Sequence, residues 1–386
     1  MVTGTAKLVV DLGNSETRVK VLYGRTMKGK PRGRLTILPN RYAQIPAHLV
    51  EGYISDGIYT EEDSSIFTHN GTTYCNGRLC ETEFSQSSFR PSAMEKKYDS
   101  IITKLELINA LHQGYMTVAD YANCGVESLD IEWELHLLLP PEDMDIGAKK
   151  LADMARSISE IDFQMPEIRK EIKISSVKVY PEGLCAFIGT VFKNKGTVRQ
   201  GYTYLIENQE STLICDVGAG TTDFVMVKGA QVISTSRFTR EIGGNNVHRL
   251  VQRSLRSKGI TLPEGVVAEG CETGYVMSGS RQIDITKEIA DAKQTVSNQL
   301  VDAVKEFFES SMVSIRTIAN ILVVGGGAET SANPAIQPIS TYITEYIKRL
   351  SPDIKLVEIP TEMKDDVETR LSPRMLNING ASILAE

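Results

Sequence analysis

The feature that most constrains this chain is a short pattern that occurs twice. Leu8-Val9-Val10 runs into Asp11-Leu12-Gly13-Asn14-Ser15-Glu16-Thr17, and Leu213-Ile214-Cys215 runs into Asp216-Val217-Gly218-Ala219-Gly220-Thr221-Thr222. Both read Asp-x-Gly-x-small-x-Thr, and they start 205 residues apart. Each apolar triplet predicts a buried strand, and the small residues predict a tight turn. The alternation of Val19, Val21 and Tyr23, and the run Phe224-Val225-Met226-Val227, predict a return strand in each case. A spacing this long marks two similar halves rather than a solenoid. A chain of 386 residues is also longer than one core comfortably holds.

The remaining elements follow from periodicity. Ile131 to Leu137 alternates as a strand and must end at Pro140-Pro141, with Trp133 expected in the core. Val177 to Tyr180 is a strand before Pro181-Glu182-Gly183. Asn320 to Val324 is a buried strand stopped by Gly325-Gly326-Gly327. Ile285, Ile289, Ala292, Val296, Leu300, Val304 and Phe308 give one long amphipathic helix. Val247 to Leu255 gives another, opening after Gly243-Gly244 and closing at Gly259. Alternating strands and helices place the chain in the α/β class. Residues 41–100 are polar, turn-rich and weakly periodic, and are expected to form a small inserted subdomain. The expected halves are 1–183, carrying that insert, and 184–386, carrying a subdomain over about 241–318.

A strand–turn–strand with glycine at its tip brings backbone N–H groups close to a ligand, and successive amides there form an anion nest suited to phosphate. An aspartate at the strand end can hold magnesium through its water shell, because that ion dehydrates reluctantly. One such hairpin is often only a turn; two matching hairpins in corresponding halves point to phosphates held from both sides. Gly325-Gly326-Gly327 alone reads equally well as a flexible turn or a ligand loop.

Composition narrows the setting. With 41% apolar and 24% charged residues the chain reads as a globular protein, and its net charge of −7 argues against direct nucleic-acid binding. No apolar run approaches the ~18 residues a membrane span needs, and the start lacks a signal-peptide pattern, so no membrane partner and a cytoplasmic location are expected. The six cysteines are too few and scattered for a disulfide framework or a zinc set. Cys75 and Cys80 form the only close pair, and Cys215 is expected in the core. The basic run Arg25, Lys28, Lys30, Arg32, Arg34 reads as a solvated hairpin loop rather than a binding patch.

In order, these motifs resemble the superfamily of actin, heat-shock chaperone ATPases and sugar kinases. The first phosphate motif corresponds to Asp11–Arg18, a connecting segment to Val177–Gly183, and the second phosphate motif to Asp216–Asp223. The paired glycines Gly243-Gly244 open a nucleotide-contacting helix, and the adenosine motif corresponds to Ile321–Glu329. A second connecting segment falls at Asn379-Gly380-Ala381-Ser382. The resemblance implies a two-lobed actin-like ATPase fold, each lobe a mixed sheet with flanking helices and a smaller subdomain, binding ATP (GTP being the alternative) with magnesium between the lobes.

It also implies roles. Asp11 and Asp216 would position magnesium through water. Amides around Gly13, Asn14 and Ser15, and around Gly218, Ala219, Gly220 and Thr221, would hold the phosphates with the hydroxyls of Ser15, Thr221 and Thr222. Gly325, Gly326 and Gly327 would let adenosine lie against backbone, flanked by Ala328 and Glu329, and Glu182 would orient the attacking water. Arg18 stands where actin has a lysine, and Glu16, beside a polyanion, is expected to turn outward.

Within the superfamily the chain is similar to bacterial actin-like proteins of the plasmid-segregation (ParM) group. The sequence stops just after its last ATPase motif, so a chaperone's peptide-binding domain is not expected, and no sugar-kinase base is evident. This implies an ATPase that polymerises with itself into filaments and moves DNA through a DNA-binding adaptor. The alternative is a non-polymerising small-molecule kinase or phosphatase of the same superfamily.

Overall fold

A computed structural model describes the chain except for residues 26–30, 56–63, 93–94, 165–166, 312, 330–332, 334–335 and 365–366. The chain divides into two compact units. One comprises 1–139, 143–181 and 381–386, and the other 140–142 and 182–380.

The first unit is built on a five-stranded sheet. Val2–Leu12 pairs antiparallel with Glu16–Arg25, which pairs antiparallel with Pro31–Pro39. On its other side Val2–Leu12 runs parallel to Leu129–Leu139, which runs parallel to Lys173–Pro181. The second unit repeats this topology. Ser211–Val217 pairs antiparallel with Thr222–Lys228, then Gln231–Arg240, and on its other side runs parallel to Asn320–Val324 and Lys355–Leu356. The duplicated motif thus reflects a duplicated sheet, and in each the hairpin carrying it occupies the central strand and its neighbour.

Each sheet buries one face on helices. In the first unit Leu8, Val10, Val19 and Val21 share an apolar cluster with Leu107, Leu111 and Tyr115 of the Ile101–Ala122 helix. Trp133 is fully buried there, edge-on to Tyr115 at 5.2 Å. In the second, Cys215 and Phe224 pack with Ile289, Val296, Leu300 and Phe307 of the Thr286–Ser310 helix. The Gly244–Ser257 helix adds Val247, Val251 and Leu255 to the same cluster. The expected periodic positions are therefore the packed ones, and the 241–318 segment shares its core with the sheet.

The 41–100 segment is more ordered than its polarity suggests. Tyr42–Ile45, Thr72–Gly77 and Ser64–His69 form a sheet in that order, around a small core of Ala43, Ile45, Val50, Ile66, Cys75, Leu79 and Cys80. The sheet is completed by Glu160–Gln164 and Glu167–Glu171, so the insert borrows two strands from beyond its own segment. Short strands over a small core leave little periodicity to read. All six cysteines are free.

Of the basic run, Lys28 and Lys30 and the side chains of Arg25 and Arg32 lie outside the described residues, whereas Arg34 is exposed and pairs with Asp120 at 2.6 Å. Among the described residues no helix is long and apolar enough to cross a membrane.

Candidate functional site

The first hairpin turns over four residues. Asp11 faces Arg18 and Leu12 faces Thr17 across the ladder, leaving residues 13–16 as the tip. Gly13 is required there because a Cβ would sit 2.5 Å from the Glu16 carbonyl oxygen. Asn40 pins the tip from outside. Its side-chain amide donates to Gly13 O, its backbone N–H donates to Ser15 O at 2.9 Å, and its Oδ1 accepts from the Thr17 hydroxyl at 2.7 Å.

Asp11 is buried and accepts a hydrogen bond from Arg18 Nη1 at 2.9 Å. The other arm of the guanidinium holds the Glu16 carboxylate. Glu16 therefore does not turn outward: it is folded back and neutralised by Arg18. Burial opposes the Arg18 charge, but the two carboxylates outweigh it and raise its pKa above the ordinary value. The planar fork suits this double contact, which a lysine could not make in the same way.

The second hairpin has the same register, with Asp216 facing Asp223 and Val217 facing Thr222. Gly218 N–H donates to Thr221 O at 2.9 Å and closes the tip. The charge is arranged differently: two acidic residues face each other where the first hairpin has an acid and a base. Asp223 accepts a hydrogen bond from the Thr239 hydroxyl at 2.5 Å. The Thr222 hydroxyl is committed to Ile242 O at 2.7 Å and is fully buried, so its proton is unavailable to a phosphate oxygen. Gly243 and Gly244 act on the loop itself. A Cβ at Gly243 would lie 2.6 Å from the Gly218 and Ala219 carbonyl oxygens, and the N–H groups of Gly244 and Asn245 bond to those carbonyls at 3.0 and 2.8 Å.

Three separate segments converge on Asp216. Asn377, in the Leu376–Ala385 helix, donates to Asp216 Oδ2 and accepts from Gly183 N–H at 3.1 Å. The Glu182-Gly183 turn is thereby tied to the carboxylate, and Glu182 is buried at 8% exposure. Gly325 closes the third side. Its φ is +79°, and a Cβ would fall 2.5 Å from both Asp216 Oδ1 and Val217 O. Gly326 is different: its missing Cβ would meet nothing nearer than the Arg374 guanidinium at 3.7 Å. Ala328 belongs to the core cluster. The Glu329 carboxylate holds the Ser372 hydroxyl and the Arg374 backbone N–H, so both residues serve the shape of this loop.

The comparisons agree with this architecture. Residues 214–333 match the family described as archaeal actin homologue MreB-like, C-terminal. No curated protein matches the chain. Among solved structures, the archaeal actin homologue Ta0583 superposes with a TM-score of 0.67 at 14% identity, covering 98% of this chain and 99% of that one. ParM from a 15-stranded Clostridium botulinum filament gives 0.65 at 17% identity, covering 98% and 97%. Bacillus thuringiensis ParM with ATP gives 0.63 at 13%, covering 99% and 98%. The chain has the actin-like fold.

Within this actin-like chain the structure brings Glu182, Asp216 and Gly325 together in one unit, and Asp11, Gly13, Asn14, Ser15 and Arg18 in the other. Sequence reasoning missed Asn40 and Asn377, and gave no role to Asp223 at the end of the second motif. Asp223 could have been found, since it stands seven residues after Asp216 as Arg18 does after Asp11. Asn40 and Asn377 carry no motif: each matters through a partner distant in sequence.

Proposed function

We propose that this actin-like chain is a magnesium-dependent ATPase in which one nucleotide engages both hairpin loops and controls polymerisation into filaments. The observation that carries this reading is the pair of sheets with identical topology, each ending its central hairpin in a glycine loop of identical register. Such loops present backbone amides to phosphate, and at Gly326 the missing side chain leaves room beside the Arg374 guanidinium that suits a flat purine ring, adenine or guanine.

The residues fit a magnesium–nucleotide complex asymmetrically. Asp216 and Asp223 are cross-strand neighbours on one face, a pairing that a divalent ion with its water shell relieves. Asp11 is already matched by Arg18, so the first loop contributes amides, the Ser15 hydroxyl and the Arg18 charge. Magnesium supplies charge neutralisation for the phosphates when bound. Asn377 fixes Asp216 and the Glu182 turn in one frame, which supports a role for Glu182 in orienting the attacking water. Positioning and charge stabilisation are most of what phosphoryl transfer needs from a protein.

Binding that favours one conformation of the chain biases head-to-tail contacts, which do not close on themselves and so give open filaments. Hydrolysis then makes the filament temporary. We place its role in DNA or plasmid segregation through a DNA-binding adaptor. The test is sedimentation with and without magnesium-ATP. Pelleting above a critical concentration with ATP supports the reading. A chain that stays monomeric at high concentration with both ATP and a non-hydrolysable analogue overturns the filament part.

A further inference from the structure

The Gly244–Ser257 helix carries a second feature besides its glycine start. Val247, Val251 and Leu255 bury one side of it in the core of the second unit. At about 100° per residue, Arg249, Arg253 and Arg256 fall within an arc of about 60° on the opposite side, and all three are exposed. They form a basic stripe about 10 Å long.

What sets this stripe apart is its lack of partners. Arg34, Arg169, Arg199 and Arg240 each hold a carboxylate, and Lys258, just past the helix, pairs with Glu288. The side chains of Arg249, Arg253 and Arg256 have neither an ion pair nor a hydrogen bond among the described residues. Like charges three and four residues apart on a helix repel one another. The stripe therefore works against the helix in isolation, and an anionic surface laid on it relieves the repulsion.

The chain itself carries a surface of matching charge. From Glu51 to Glu83, seven acidic residues stand against one arginine, Arg78, and no lysine. That stretch holds most of the excess behind the net charge of −7. Four of the seven, Asp56, Glu61, Glu62 and Asp63, lie outside the described residues. The other three, Glu51, Glu81 and Glu83, are exposed and have no ion pair among the described residues. Glu51 is on the Ala47–Ser55 helix and Glu81 on the Arg78–Thr82 helix, with Glu83 just after it. Both helices pack on the small core of the 41–100 subdomain, and Tyr53 meets Phe84 edge-on at 5.7 Å. The three carboxylates are thus carried by neighbouring elements.

We propose that the arginine stripe is a contact surface for a second copy of this chain, which lays the acidic side of its 41–100 subdomain against it. The net charge of −7 disfavours the approach of a nucleic acid, whereas the acidic subdomain comes with every copy. The contact is heterologous: a copy that has used its stripe still offers its acidic side, so the assembly stays open. Exposed pairs of this kind are screened by salt and individually weak, which suits a contact that must also come apart. The inference rests on the filament reading and names one contact within it.

The experiment is sedimentation with magnesium-ATP of wild type and two triple variants, singly and mixed. One variant combines Arg249→Glu, Arg253→Glu and Arg256→Glu; the other combines Glu51→Lys, Glu81→Lys and Glu83→Lys. Each variant alone sets like charges against each other, and is expected to raise the critical concentration about tenfold or more as three exposed pairs turn repulsive. Mixing the two restores opposite charges at every contact and is expected to recover most of the loss, which unfolded chains could not do. Variants that assemble as wild type does overturn the contact and leave the filament reading standing. A loss that mixing does not recover overturns it as well, and recovery only with all six substitutions in one chain would place the pairing within a chain. Wild type that does not assemble overturns the filament reading and the contact with it. A DNA duplex retained by wild type and released by the arginine variant, with assembly unchanged, assigns the stripe to nucleic acid instead.

Discussion

Asn377 donates a hydrogen bond to the Asp216 carboxylate while accepting one from Gly183. One amide thus holds the candidate magnesium aspartate and the turn carrying Glu182 in fixed relation, across sequence separations of 161 and 194 residues. A residue that orients a catalytic carboxylate without touching substrate typically contributes ten- to a hundred-fold, on the order of what outer-shell partners supply to metal sites. Asn377→Ala should therefore lower kcat for ATP hydrolysis by about tenfold or more while the melting temperature stays close to wild type. Steady-state phosphate release beside a thermal melt checks this, and an unchanged kcat removes the positioning role.

The candidate adenosine loop separates two kinds of glycine. A Cβ at Gly326 would meet only the Arg374 guanidinium, at 3.7 Å, so Gly326→Val should fold and lose nucleotide affinity. Gly325 has a positive φ and lies against Asp216 and Val217, so Gly325→Ala should cost stability, at least about 1–2 kcal/mol from the backbone alone. Melting temperature and ATP affinity measured on both variants distinguish the cases. Unchanged affinity in a folded Gly326→Val protein would remove the adenosine assignment.

Much of this was legible in the sequence because it is local. The two hairpins announce themselves through Asp11 to Thr17 and Asp216 to Thr222, and the long helix through Ile285 to Phe308, since strand and helix periods are written in neighbouring residues. What was not legible depends on distant partners. Glu16 was expected to point outward, because its pairing with Arg18 requires the hairpin's geometry. The insert was read only as a turn-rich subdomain without legible strands, because its sheet is finished by strands at 160–171. The Thr222 hydroxyl looked free for phosphate until Ile242 O was placed beside it.

Glu182 is expected to act on water rather than on phosphate. Glu182→Ala should bind ATP with near wild-type affinity and hydrolyse it at least about a hundredfold more slowly, the lower end of what a positioned acid–base group supplies. Its filaments should outlast those of wild type. Hydrolysis at the wild-type rate would show that the side chain serves only the turn.

Acid stability should report His136. Burial lowers its pKa to about 4, with Lys178 and Lys7 acting in the same direction, and Nδ1 lies 3.1 Å from the Tyr180 hydroxyl. The unfolded chain takes up this proton near pH 6.5. Between 6.5 and 4 the unfolded state binds more protons than the folded one, so stability is full above 6.5 and falls as pH drops. The single group contributes at most about 1.4 kcal/mol per pH unit. Urea unfolding from pH 7 to 4.5 should show a shallower loss in His136→Gln, and an identical slope would assign the acid sensitivity elsewhere.

The central claim is that one nucleotide is shared by both hairpin loops, and equilibrium binding of magnesium-ATP measures it directly. Wild type should bind one ATP per chain. Ser15→Ala in the first loop and Thr221→Ala in the second should each weaken binding by about tenfold or more, as expected for losing a hydrogen bond to a charged phosphate. Two ATP molecules per chain, or wild-type affinity in either folded variant, would contradict it.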